Sequence, residues 1–144
     1  MECTVRWGGV SGMSFHAETG SGHLVSMDGA PEGGGHNLAP RPLELLLAGT
    51  GACTAYDVVL ILKKGRHDVR GCDVKVIAER AESIPKVFTR LTLHFAVSGR
   101  KLSREVVERA VHLSHDKYCS ATAMLGKACH IEIAVDIIDI DTTP

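Results

Sequence analysis

Apolar and polar positions along this chain change period several times, and each change marks an element. Through the first 28 residues the period is two: Cys3, Val5 and Trp7 alternate with polar neighbours, as do Met13, Phe15 and Ala17. Gly8-Gly9 and Gly20-Ser-Gly22 supply the breaks, so the pattern predicts three short strands in a meander. Residues 29–41 carry three consecutive glycines between prolines and read as a mobile loop. A long apolar run, Leu43-Glu-Leu-Leu-Leu-Ala-Gly-Thr-Gly-Ala-Cys53 and on to Leu62, then predicts a helix from Pro42 to about Lys64. Pro42 suits a first turn, where its missing N–H costs nothing. Gly65 is the expected stop, with Lys63, Lys64 and Arg66 complementing the negative end of the dipole.

Period two returns in Cys72, Val74, Val76 and Ala78, and again in Leu91, Leu93, Phe95 and Val97. With Pro85 in the connection these predict an antiparallel pair of long strands. Ser103 can cap a helix over 104–116 whose buried stripe is Val106, Val107, Ala110 and Val111. A short helix over 119–127 and a last strand through Ile131, Ile133, Val135 and Ile137 complete the order βββ-α-ββ-αα-β. The prediction is one α+β domain over 1–144, with neither an internal repeat nor a linker.

The length of the apolar run would also suit a membrane span. Glu44, Asp57, Gly49 and Gly51 interrupt it and strand patterns flank it, so a core helix buried on most faces is the expectation, with no membrane partner. Two glycines inside a helix cost about 2 kcal/mol relative to alanine. That cost points to another backbone, or a second copy of the helix, packing close to Gly49 and Gly51.

Composition narrows the class. A net charge of −1 offers no footprint for nucleic acid. The cysteines are five in number, widely spaced, and no apolar leader stands in Met1–Trp7, so a cytoplasmic protein with reduced thiols is expected.

Candidate chemistry centres on two of those thiols. Cys53 lies within the apolar helix, and Cys119 follows 66 positions later. If Ser114–Tyr118 breaks the helices, Cys119 sits at a helix N-terminus, where N–H groups and the dipole favour negative charge on sulfur, helped by His115 and Lys117. Burial would push the Cys53 thiol up, as would the carboxylate of Asp57 one turn on, so reactivity there needs a cation or donor from elsewhere. From the residues alone, a redox pair and two core side chains both remain open. His112, His115 and Cys119 share a helical face, but without a Cys-x-x-Cys pair exposed histidines are a better reading than a zinc site.

Pro42-Leu-Glu44-Leu-Leu-Leu-Ala-Gly-Thr-Gly-Ala-Cys53, followed by Lys117-Tyr-Cys119-Ser, resembles the OsmC/Ohr family of thiol-dependent hydroperoxide reductases, in its OsmC-like branch. The likeness extends to Val5-Arg-Trp7, Lys63-Lys-Gly-Arg66 and Ser98-Gly-Arg100-Lys-Leu. The resemblance implies an OsmC-like fold in an intertwined homodimer whose long helices pack together, with sites near the interface and no metal or organic cofactor. It makes Cys53 the peroxide-attacking thiol and Cys119 the resolving one, with an external dithiol as reductant and a small-molecule hydroperoxide, organic in preference, as substrate. The alternative within the same fold is a non-catalytic dimer that binds an apolar or thiol-containing small molecule in the interface pocket.

The activating residues are displaced from the family's pattern. The family's peroxidases carry a glutamate ten residues before the attacking cysteine, where this chain has Leu43; the acid here is Glu44, nine residues before. At about 100° per residue, nine steps place Glu44 roughly 180° around the helix from Cys53, towards a partner subunit or the loop. For the activating arginine the nearest candidates are Arg6 and Arg41, with Arg41 preferred because it adjoins the helix start.

Overall fold

The computed structural model of the chain describes residues 1–141. Two compact units emerge, Met1–Leu46 and the segment from Leu47 onward. In the first, β1 (Cys3–Trp7), β2 (Phe15–Thr19) and β3 (Leu24–Met27) form the expected antiparallel meander. Val5 stands opposite Ala17 and Ala17 opposite Val25, with Trp7, Phe15 and Met27 in the next row, so one face is apolar. Ala17 is buried, while Val5 and Trp7 stay half-exposed.

The glycine-rich loop, expected to be mobile, is instead tied down by one carboxylate. Asp28, itself buried, accepts N–H bonds from Gly29 (2.7 Å), His36 (3.1 Å) and Leu38 (3.1 Å). The Leu38 N–H is the largest influence holding that carboxyl below its usual range, with those of Gly29 and His36 behind it. A 3₁₀ turn over Pro31–Gly33 closes the loop, and Gly35 lies so close to the Gly29 backbone that a Cβ would collide with it. Sequence composition signals the glycines but not the acceptor that organises them.

α1 (Pro42–Lys64) matches its predicted bounds. The helix stops before Gly65, as expected, and the left-handed residue beyond it is Arg66 (φ 60°). Arg66 N–H reaches the Lys63 carbonyl at 2.9 Å and His67 N–H the Leu62 carbonyl at 3.0 Å, the two bonds of a Schellman cap. The burial expectation fails in the single chain. Only Thr50, Gly51, Thr54, Val58 and Leu62 are buried, a stripe at four-residue spacing, while Tyr56 and Leu60 face outward. With 28 % of its most apolar window buried and a mean hydropathy of 1.8 there, α1 is long and apolar enough to cross a membrane by length and composition.

The second unit is built on β5 (Phe88–Arg100), between β4 (Asp68–Arg80) and β6 (His130–Asp139). β4 pairs with it antiparallel, as expected. A bulge between Val69 and Gly71 shifts the alternation, so Val69 packs on the same core as Cys72, Val74 and Val76. β6 pairs parallel to β5. A parallel neighbour requires a crossover, which α2 (Arg104–Leu113), a π turn (Ser114–Tyr118) and α3 (Ser120–Leu125) provide. Leu93, Phe95 and Val97 of β5, wholly buried, meet Val58 and Leu62 of α1 and Val107, Ala110 and Val111 of α2 in one aliphatic core. Gly51 rests on β4: a Cβ there would stand 3.1 Å from Val76 Cγ2. The neighbour that Gly51 accommodates is therefore a strand of its own chain, whereas a Cβ on Gly49 would meet nothing within 4 Å among the described residues.

Candidate active site

The segment 114–118 is not the break that the sequence suggests but one turn of π-helix. Cys119 N–H closes it on the Ser114 carbonyl at 2.8 Å. The extra residue in this turn ends the α2 direction and leaves Cys119 extended (φ −74°, ψ 105°) as the N-cap of α3. Cys119 therefore does precede a helix, and its buried sulfur accepts the Thr122 N–H at 3.5 Å.

This placement brings the two thiols together. Cys53, half-buried on α1, lies within the influence of the Cys119 thiol and of the Ala121 N–H. Burial is the main influence on the Cys53 thiol and pushes it up; the Ala121 N–H pulls it back, while Cys119 and then Asp57 push it further up. Among the described residues no cation counts in that balance. The expectations for burial and for Asp57 both hold.

A buried polar knot lies beside the pair. Ser114 Oγ stands 2.9 Å from Thr54 Oγ1, 3.3 Å from the Thr54 carbonyl and 3.1 Å from Asp57 Oδ2. Thr54 and Ser114 have no exposure at all. Neither residue stands out in a search for catalytic types. A signal exists nonetheless: Ser114 continues the stripe Val107, Ala110, Val111, and a serine in a core phase needs a partner.

Glu44 and Arg41 belong to the first unit. Glu44 Oε2 accepts the Arg41 N–H at 2.9 Å, three residues back, so the carboxylate caps the start of α1. His36 is engaged through its N–H by Asp28. His112 is exposed, but His115 is half-buried with an unpartnered Nδ1, unlike the exposed histidine expected there. Among the described residues, no three His, Cys, Asp or Glu side chains form a group that could hold a metal.

The model of the family described as OsmC-like protein matches residues 34–134, a span that holds both thiols and the knot beside them. The chain belongs to the OsmC family. Among OsmC relatives, Protein YhfA of Escherichia coli (strain K12) is 45 % identical over 138 residues, which cover 96 % of this chain and 98 % of YhfA. A hypothetical protein from Aquifex aeolicus VF5 shares the fold with a TM-score of 0.81 at 27 % identity, covering 95 % of each chain. An organic hydroperoxide resistance protein OsmC from Legionella pneumophila aligns with a TM-score of 0.68 at 18 % identity, over 94 % of this chain and 97 % of that one. At 18 % identity the likeness speaks to the OsmC fold alone. The α+β order read from the sequence is thus the order of the family's solved structures.

Proposed function

We propose that this OsmC-family chain reduces organic hydroperoxides through a Cys53/Cys119 cycle, as part of oxidative stress defence in the cytoplasm. What carries the reading is the proximity of the two thiols, close enough for Cys119 to act on the Cys53 sulfur. The Cys53 thiolate attacks one peroxide oxygen; the O–O bond breaks, leaving Cys53 sulfenic acid and, after protonation, an alcohol. Cys119 then condenses with the sulfenic acid, forming the S–S bond and releasing water. An external dithiol donates two electrons and two protons to restore both thiols.

A homodimer completes the proposal. Outward-facing Tyr56 and Leu60, and the open position at Gly49, offer α1 a surface for a second copy. The cation proposed for Cys53 within that dimer is Arg41, whose backbone N–H Glu44 accepts. Turnover of cumene hydroperoxide with a dithiol reductant is expected to vanish in Cys53→Ser. Cys119→Ser should stall the cycle at a sulfenic acid trapped by dimedone. Absence of turnover together with absence of a Cys53–Cys119 disulfide after mild oxidation would sink the reading. That outcome would leave a dimer binding an apolar or thiol-containing small molecule at its interface, which the upward push on Cys53 favours.

A further inference from the structure

We propose that Ser114 is a positioning residue for the thiol pair: it ties the turn carrying Cys119 to the helical turn carrying Cys53 and satisfies the Asp57 carboxylate beside them. The inference rests on the thiol cycle proposed above. Three observations converge on Ser114. Its carbonyl accepts the Cys119 N–H at 2.8 Å, fixing where Cys119 leaves the π turn. Its hydroxyl meets Thr54, the neighbour of Cys53 on α1, at 2.9 Å. The same hydroxyl lies within 3.1 Å of Asp57 Oδ2, one helical turn from Cys53. One wholly buried side chain thus bridges both elements whose spacing sets the sulfur–sulfur approach.

The arrangement also sets the field at Cys53. A serine donates one proton, and the charged acceptor within reach is Asp57; a hydrogen bond to a carboxylate is about twice as strong as one between neutral groups. Charge drawn onto that bond is charge withdrawn from the thiol. Facing Cys53 are the Cys119 thiol and Asp57. Asp57 also lines a cavity of about 200 Å³ together with Lys64 and Tyr118. Through these bonds Ser114 joins the two cysteine-bearing turns.

The test reads the Cys53 thiol directly and needs no peroxide. The rate of Cys53 alkylation by iodoacetamide, followed by mass spectrometry, is measured across pH in the full chain. Asp57→Asn, nearly isosteric, should move the titration midpoint down and raise the neutral-pH rate. Ser114→Ala should move the midpoint the opposite way and slow Cys53–Cys119 disulfide formation by diamide severalfold. In an Asp57→Asn background, Ser114→Ala should no longer move the midpoint but should still slow the disulfide. A purely structural serine would not give shifts of opposite sign that cancel in the double variant. An unchanged midpoint in Asp57→Asn, or an equal Ser114→Ala shift in both backgrounds, overturns the proposal. Should Ser114→Ala fail to fold, Asp57→Asn alone decides by its midpoint. If turnover fails while these shifts appear, the peroxidase reading falls and the positioning role stands; unchanged midpoints with full turnover give the reverse.

Discussion

Asp28 shows how much one side chain can organise. Its carboxylate gathers the N–H groups of Gly29, His36 and Leu38, which span ten residues of a loop with no regular element beyond one 3₁₀ turn. Its folded-state carboxyl titrates below the unfolded one, chiefly through the Leu38 N–H. The contribution to loop order is therefore present above the ordinary aspartate value of about 3.9 and is lost as pH falls through the lower folded value. In Asp28→Ala, amide hydrogen exchange at His36 and Leu38 should quicken markedly at neutral pH while β4, β5 and β6 keep their protection. In the unaltered protein the same two amides should lose protection first on acidification. Slow exchange at both in the variant would show that another acceptor holds the loop. At this scale the sequence was least legible. Cys53 and Cys119 announce themselves by residue type, but Asp28, Thr54 and Ser114 are ordinary residues whose importance arises from which backbone and side-chain groups the fold brings to them.

The elements were legible because periodicity reports burial directly. β5 alternates cleanly, and Leu91, Leu93, Phe95 and Val97 on its inner face are all fully buried. What periodicity did not report were the joints. The bulge at Val69/Gly71 changes which residues share a face, and the π turn replaces an expected break, because both depend on pairing and packing rather than on local preference. The α1 terminus is a third joint: Arg66, not a glycine, takes the left-handed position there. A non-glycine residue there costs roughly 1–2 kcal/mol. Arg66→Gly should relieve part of that cost against the greater chain entropy of glycine, for a net stabilisation of about 0.5–1 kcal/mol by urea unfolding. A loss of stability instead would mean that the Arg66 side chain contributes more than its backbone costs.

At the scale of the whole molecule, α1 is the element that a single chain leaves unfinished. Its buried stripe is narrow, and apolar side chains lie on the remaining faces. A helix of this kind is stable in water when something covers it. A second copy is the cover implied by the family resemblance. Gly49 separates the two demands on this helix, since a Cβ there meets nothing within 4 Å among the described residues. Gly49→Glu should leave the circular dichroism spectrum and secondary structure unchanged while shifting sedimentation from dimer to monomer. Sedimentation identical to the unaltered protein, dimeric in both, would place the dimer surface away from Gly49.

The parallel seam between β5 and β6 carries a kinetic consequence. β4 and β5 are joined by a short connection and can zip together as a hairpin, each new pair adjoining the last. β6 has no such route: Leu91 pairs with Ile131 and Val97 with Ile137 only after α2, the π turn and α3 have crossed between them. Loop closure on that scale precedes any reward from pairing and slows folding. Cys119 lies in that crossover, on a segment that the β4–β5 hairpin alone does not order. A chain in which only the hairpin had formed would leave Cys53 and Cys119 apart, each open to the wrong partner among five thiols.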